Sequence, residues 1–156
     1  FLVTMFIAAR VAFWTMAFVF IGSVAEVYNS RFRTPFHFDL VKIGTILTSV
    51  AYGAPVGIFV GITSTFFSKL LSSRLDFTVF ISIAGTVAMA MLADAFSAVP
   101  ISLLGILLVL AYYLVTTPIH LIMGEEPGYA FVYVLSSLAV NFVLFTQIAP
   151  RIIGLL

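Results

Sequence analysis

The sequence has no cysteine and very little charge. Without thiols, disulfides, thiolate catalysis and thiolate metal sites are all excluded. Seven Lys or Arg and six Asp or Glu make up only 8% of the 156 residues, and the net charge of +1 indicates no nucleic-acid partner. A soluble domain has about 25% charged residues, so this chain lacks the polar surface that water requires.

Apolar residues take the place of the missing charge. Hydrophobic residues account for 63% of the chain, and the mean hydropathy is +1.25. Only a lipid bilayer can solvate so much apolar surface. The composition therefore predicts an integral, multi-pass membrane protein, with residues 1–156 forming one polytopic domain.

Charges, prolines and glycines divide the apolar runs into about six helical segments, which predicts an all-α, compact bundle with short connections. The second segment has fourteen residues and reaches about 21 Å, short of a hydrocarbon core of about 30 Å. We therefore expect it to be tilted, half-buried or re-entrant. The six segments are Leu2–Val27, Phe38–Ala51, Pro55–Leu71, Phe77–Ala95, Pro100–Ile122 and Tyr129–Leu156.

The start of the chain and its first connection have distinct patterns. The chain opens with Phe1 instead of Met, so we expect natural sequence before it. The first segment is too long for a signal peptide and has no small-residue cleavage pattern before Glu26, so we interpret it as a retained span. Residues 28–37 form the longest polar stretch and predict a loop.

Small residues recur at four-residue spacing in two places. Gly53, Gly57 and Gly61 predict one helix face on which another backbone can approach closely. That face could pack inside the bundle or receive a partner subunit. Ala8 and Ala12 form a similar step in the first helix.

Several ionisable residues fall within or near the spans. Arg10 must snorkel, pair or face protein. Asp39 and Lys42 are three residues apart and could form a local ion pair worth a few tenths of a kcal/mol, about the value for an isolated helix. They could anchor the helix at the interface or, with Arg31 and Arg33, line a polar mouth for a solute.

The remaining polar groups carry no enzyme signature. Asn141 is near the middle of its span and should hydrogen-bond another helix or a bound molecule. His120 is more simply explained by a hydrogen bond, and Asp94 lies at a helix end. The motifs of metalloproteases, serine hydrolases and phosphate-binding loops are missing, and the two histidines lack ligand spacing. We therefore expect no catalytic residue, cofactor or metal site.

Two stretches resemble a known family of membrane proteins. The segments Phe38–Gly44 (FDLVKIG) and Tyr52–Gly61 (YGAPVGIFVG) are similar to the second and third helices of S-components, the substrate-binding subunits of energy-coupling-factor (ECF) vitamin transporters. The AxxxA step at Ala8–Ala12 resembles the same step in that family's first helix, and Asn141 followed by Pro150 resembles its last helix.

The resemblance implies a small-molecule-binding subunit in the plasma membrane of a prokaryote, with no ATPase of its own. Substrate would lie near the outer surface under a lid, here Asn29–His37, and Asn141 would belong to the pocket. Ala8 and Ala12 would contact the coupling transmembrane subunit, which two ATPases drive. The glycine face Gly53, Gly57 and Gly61 is a second candidate for docking.

We expect the ligand to be a water-soluble small molecule held between the first loop and the outer ends of helices four to six. The polar candidates are Arg33, His37, Asp39 and Asn141, and the aromatic neighbours Phe36, Tyr129 and Tyr133 could stack on a ring. The basic residues of the first and third loops favour an anionic or neutral ligand.

Two alternatives stay open. The first is the orientation in the membrane. The loops that the family topology places outside contain Arg31, Arg33, Lys69 and Arg74. The positive-inside rule places basic loops in the cytoplasm and therefore favours the opposite orientation. The second alternative is a non-transporting accessory subunit of a larger membrane complex, an S-component-like bundle such as an MreD-like scaffold. A scaffold predicts a filled interior, and a transporter predicts a polar cavity below the first loop.

Overall fold

The computed structural model describes residues 2–32, 39–72 and 77–156. All regular elements in these ranges are helical, which confirms the predicted all-α bundle. The sixth predicted segment is an α-helix, a π-helical turn and a final short helix in succession. The bounds are α1 Leu2–Phe32, α2 Leu40–Tyr52, α3 Ala54–Leu71, α4 Thr78–Ala95, α5 Ile101–Ile122, α6 Pro127–Val143, the π-helical turn Leu144–Ile148 and α7 Ala149–Ile153.

The outer surface of the bundle is apolar and its interior carries many small hydroxyl groups. Met16 and Phe20 on α1, for example, are 74% and 70% exposed, whereas Thr48 and Ser64 are fully buried. This distribution suits a bilayer, which solvates apolar side chains and leaves polar groups to be satisfied inside. Five stretches are long and apolar enough to cross a membrane: Val3–Ala25, Ala54–Leu71, Thr78–Ala95, Ile101–Ile122 and Pro127–Ile153. The chain is a multi-pass membrane protein.

The short helix α2 forms the centre of the bundle. It has 13 residues, and Val41–Ser49 are all buried among α1, α3, α4 and α5. The hydroxyls of Thr45, Thr48 and Ser49 donate to backbone carbonyls within α2 at 2.7–3.2 Å, so this helix can be buried without losing hydrogen bonds. A helix surrounded by protein need not span the hydrocarbon core, which accounts for the short length of α2. It is buried more completely than the half-buried helix expected from its length.

The glycines of α3 pack inside the bundle. A Cβ atom on Gly57 would overlap Ser49 Oγ, and a Cβ on Gly61 would approach Thr45 Oγ1 to 2.9 Å. Both glycines are buried and allow α2 to lie close to α3. Gly53 does not share their face, because it lies in the α2–α3 turn at φ +91°, a conformation that favours glycine. Gly57 and Gly61 thus form an internal contact within the bundle, which is the first of the two alternatives for these glycines.

The first helix is longer than the sequence pattern predicted. α1 continues through Phe32, so the loop expected at residues 28–37 does not begin at residue 28. No Gly or Pro interrupts residues 28–32, and polar side chains at the end of a span continue a helix readily outside the hydrocarbon. The first breaker is Pro35, which disfavours helix at the residue before it. Residues 33–37 of the expected lid lie outside the described residues.

Hydrogen bonds to the last residues close one end of the bundle. Arg10 donates from Nε and a terminal guanidinium nitrogen to the Leu155 carbonyl at 3.2 and 2.6 Å, and Tyr52 donates to the Leu156 carbonyl at 3.0 Å. Arg10 is therefore paired, one of the alternatives for a charge in a span. The first half of α1, the α2–α3 turn and the residues after α7 share this end, and the α3–α4 and α5–α6 connections lie at the opposite end.

The π-helical turn precedes Pro150, which has no N–H to donate to the preceding helical turn. It also contains Phe145, a fully buried side chain. A Cβ on Gly105 of α5 would overlap the Phe145 ring. This end of the bundle is therefore packed tightly where α5 meets the π-helical turn.

Candidate ligand-binding site

A cavity of about 500 Å³ lies between the end of α3, the start of α4, the end of α5 and the start of α6. Its volume is within the range of small-molecule sites, about 300–1,000 Å³. It is at the end of the bundle where α3 connects to α4 and α5 to α6. The side chains around it include the aromatic residues Phe77, Tyr112, Tyr113, Tyr129 and Tyr133, the hydroxyl residues Thr78, Ser82, Thr116 and Thr117, and the ionisable residues Lys69, His120 and Glu125.

Four tyrosines form a connected aromatic wall of this cavity. The rings of Tyr112 and Tyr113 are perpendicular with centroids 5.4 Å apart. Tyr113 meets Tyr133 edge to face at 6.1 Å, and Tyr133 stacks on Tyr129 at 6.4 Å. Tyr112 lies close to α4 because residue 85 is glycine, where a Cβ would come within 2.5 Å of the Tyr112 ring. The wall offers ring faces and edges at the spacing of aromatic pairs.

A buried ionic network borders the aromatic wall. Asp39 and Lys42 form an ion pair and are only 6% and 3% exposed. Lys42 Nζ donates to the Tyr113 hydroxyl at 3.1 Å, and that hydroxyl lies 3.2 Å from Asp39 Oδ2. The ammonium also lies 4.3 Å from the centroid of the Tyr112 ring and 4.5 Å from that of Tyr113, which is cation–π distance.

The predicted pairing of Asp39 with Lys42 is confirmed, but the energy assigned to it is wrong. A few tenths of a kcal/mol applies to a solvated pair on an isolated helix. Here both groups are inside the bundle, where removal of one partner costs about 3–5 kcal/mol. The same burial places both charges against protein groups.

Asn141 lies behind the cavity wall. Its Nδ2 donates to the Ser137 carbonyl at 2.9 Å and to Ser137 Oγ at 3.3 Å, and Ser137 Oγ in turn contacts the Tyr113 hydroxyl. Asn141 is 1% exposed, and its Oδ1 has no hydrogen-bond partner among the described residues. The structure therefore connects Asn141 to the cavity only through Ser137 and Tyr113, and does not include it among the residues that line the cavity.

The rim of the cavity has separated charges. His120 Nδ1 lies 3.5 Å from Glu125 Oε2 on the α5–α6 side, an ion-pair distance that is longer than the hydrogen bond expected for His120. Lys69 is on the opposite side, in the last turn of α3. The cavity thus has a cation on one side and an imidazole–carboxylate pair on the other.

A second cavity of about 50 Å³ adjoins the first. Both are lined by Lys69, Ser82, Tyr112 and Tyr133. The smaller one also reaches the buried ion pair and three hydroxyl residues. The described residues that line it are Asp39, Val41, Lys42, Thr65, Ser68, Lys69, Ser82, Thr86, Tyr112 and Tyr133.

The predicted substrate-binding residues are distributed unevenly over this site. Tyr129 and Tyr133 line the large cavity and Asp39 the small one. Arg33 and His37 lie outside the described residues. The sequence interpretation missed Tyr112 and Tyr113, although a tyrosine pair well inside a span is a signal, because tyrosines in membrane helices are enriched at the interfaces.

Within residues 2–32, 39–72 and 77–156, no three His, Asp or Glu side chains gather as a metal site would require. No protein-family model matches the chain, and no curated protein or solved structure matches it.

Proposed function

We propose that this chain is the substrate-binding membrane subunit of an ECF-type transporter and that its substrate occupies the 500 Å³ cavity. The observation that carries the proposal is that cavity itself, which lies at one end of the membrane bundle. Its aromatic walls provide contact area, and its hydroxyl and ionisable side chains provide groups that can orient a ligand, as in other small-molecule sites.

The rival scaffold function predicts a filled interior at this end. Packing is indeed tight at the other end, where Phe145 fills the space beside Gly105. Between α3 and α6, however, polar side chains surround an open volume, and a polar cavity in a membrane bundle is costly without a role. This contrast supports ligand binding over a purely structural subunit.

The proposal includes a coupling subunit and ATPases as partners, in the plasma membrane of a prokaryote. Ala8 and Ala12 are exposed on α1, which is the most peripheral span, with only 11% of its window buried. Small residues on an exposed membrane helix permit close approach of a second helix. Ala8 and Ala12 are therefore the candidate docking residues that remain.

The test is ligand binding by the purified protein in detergent, screened by thermal shift against water-soluble metabolites and confirmed by calorimetry. We expect a hit that binds the unmodified protein and is lost in Gly85→Ala, because the new methyl group displaces the Tyr112 ring that walls the cavity. Gly154→Ala is the matched control, since its Cβ meets only a carbonyl at 3.7 Å. A hit that binds Gly85→Ala unchanged would place the ligand elsewhere and refute the proposal.

A further inference from the structure

Beyond the presence of a ligand, we infer that the small cavity is an oxyanion subsite: Lys69, Ser82 and Thr65 hold a carboxylate or similar anionic group while the rest of the ligand occupies the large cavity. This inference rests on the proposed function for the larger cavity. It assigns the ligand a chemical class, an anion with a planar or apolar body.

The charges at the small cavity favour an anion. Lys42 and Asp39 both line the small cavity, but they form an ion pair and offset each other. Lys69 also lines it and makes no ion pair with any residue that the structure describes. Among the described residues that line the small cavity, the net positive charge is therefore the Lys69 ammonium, and an ammonium beside a partly enclosed space attracts an anion.

Two hydroxyl groups at the small cavity are free to donate hydrogen bonds to a ligand. Ser68 and Thr86 already donate to backbone carbonyls of their own helices. The hydroxyls of Thr65 and Ser82 make no hydrogen bond to any described group, although Thr65 is only 5% exposed. Hydroxyls that border a cavity without an internal acceptor are available to donate to a bound oxyanion.

The small cavity has room for an anionic group and adjoins the large cavity. A space of about 50 Å³ is several times the roughly 10–15 Å³ that one water needs, which is enough for a carboxylate. Tyr112 and Tyr133 border both cavities. A ligand whose anion enters the small cavity would therefore have its body against these two rings.

The experiment compares acids with their uncharged amides: benzoate with benzamide, and indole-3-acetate with indole-3-acetamide. Calorimetry on the purified protein should show that at least one acid binds about tenfold or more tightly than its amide. Lys69→Gln should remove that preference, Lys69→Arg should retain it, and Arg151→Gln, which removes an exposed cation near the opposite end, should leave it unchanged.

The outcomes separate the possible anions and the two proposals. Binding of dihexanoyl phosphatidylglycerol but not phosphatidylcholine, lost in Lys69→Gln, without acid binding, would assign the same oxyanion subsite to a lipid headgroup. Equal binding of acid and amide, or an acid preference that survives Lys69→Gln, overturns the subsite but not the cavity's function. If no acid, amide or lipid binds, but other molecules bind and their binding is lost in Gly85→Ala, only the subsite is overturned. Absence of any ligand overturns both proposals.

Discussion

Replacement of Lys42 by methionine should destabilise the protein by about 3–5 kcal/mol. Methionine keeps most of the side-chain volume and removes the ammonium, so the change is chiefly electrostatic. Asp39, only 6% exposed, would lose its ion pair and keep a single neutral partner in the Tyr113 hydroxyl. A buried carboxylate with one neutral donor is poorly compensated, whereas the intact pair also has two aromatic faces against the cation.

The double variant Asp39→Asn/Lys42→Met isolates the charge effect. An asparagine amide oxygen still accepts from Tyr113, and no buried charge is left without a counterion. We therefore expect the double variant to recover about 1–3 kcal/mol of the loss, the size of coupling between residues in contact. Lys69→Met is the matched control, because that partly exposed lysine has no ion pair with a described residue and its substitution should change stability by less than about 0.5 kcal/mol.

The assay is unfolding in mixed micelles of dodecyl maltoside and increasing sodium dodecyl sulfate. Trp14 is the sole tryptophan and stacks on the buried ring of Phe18 at 5.9 Å, so its fluorescence reports loss of packing between α1 and the core. The reasoning would be refuted if Lys42→Met cost no more than Lys69→Met, or if the double variant were as unstable as the single one.

Three further results are expected. Gly105→Ala should lose about 1–3 kcal/mol in the same assay because its Cβ overlaps a fully buried ring, whereas Gly128→Ala, whose Cβ would meet only Glu126 Oε1 at an ordinary contact distance of 3.8 Å, should not; equal effects would contradict the packing argument. Single cysteines at Glu126 and Ala98, introduced into this cysteine-free chain, should label from opposite sides of the membrane and so establish the orientation; labelling from one side would contradict the topology. Ala12→Leu should reduce co-purification of partner subunits from native membranes without reducing insertion, and unchanged recovery of every partner would indicate a lipid-facing surface.

The sequence was most predictive where composition alone decides the outcome. Runs of apolar residues bounded by Gly53, Pro100 or Gly124 located the helices to within a few residues, because a bilayer demands long continuous helices. The spacing of Asp39 and Lys42 predicted their pairing, because residues three apart share a helix face. The predicted helix ends were less accurate where polar residues follow a span, as at residues 28–32, which the structure includes in α1.

The cavity could be predicted only in part. Tyr129 and Tyr133 were identified from their position near the start of the last helix, but Tyr113 was not, since apolar residues surround it on every side in the sequence. In a membrane helix both the lipid-facing and the buried faces are apolar, so periodicity does not reveal which face points inward. Asn141 illustrates the same limit. Its polarity indicated burial, but only the packing of α5 against α6 shows that Ser137 separates it from Tyr113 in the cavity wall.

The central position of α2 has a consequence for how the chain enters the membrane. A helix of 13 residues, with the Asp39 carboxylate at its N-cap and the Lys42 ammonium in its first turn, is too short and too polar to partition into lipid by itself. Yet α4 and α5, which cover it, are synthesised later. Helix α2 must therefore enter together with α3, to which the turn at Gly53 and the close contact at Gly57 join it. Biogenesis would then proceed by insertion of a helical hairpin, followed by enclosure of α2 as the later spans arrive.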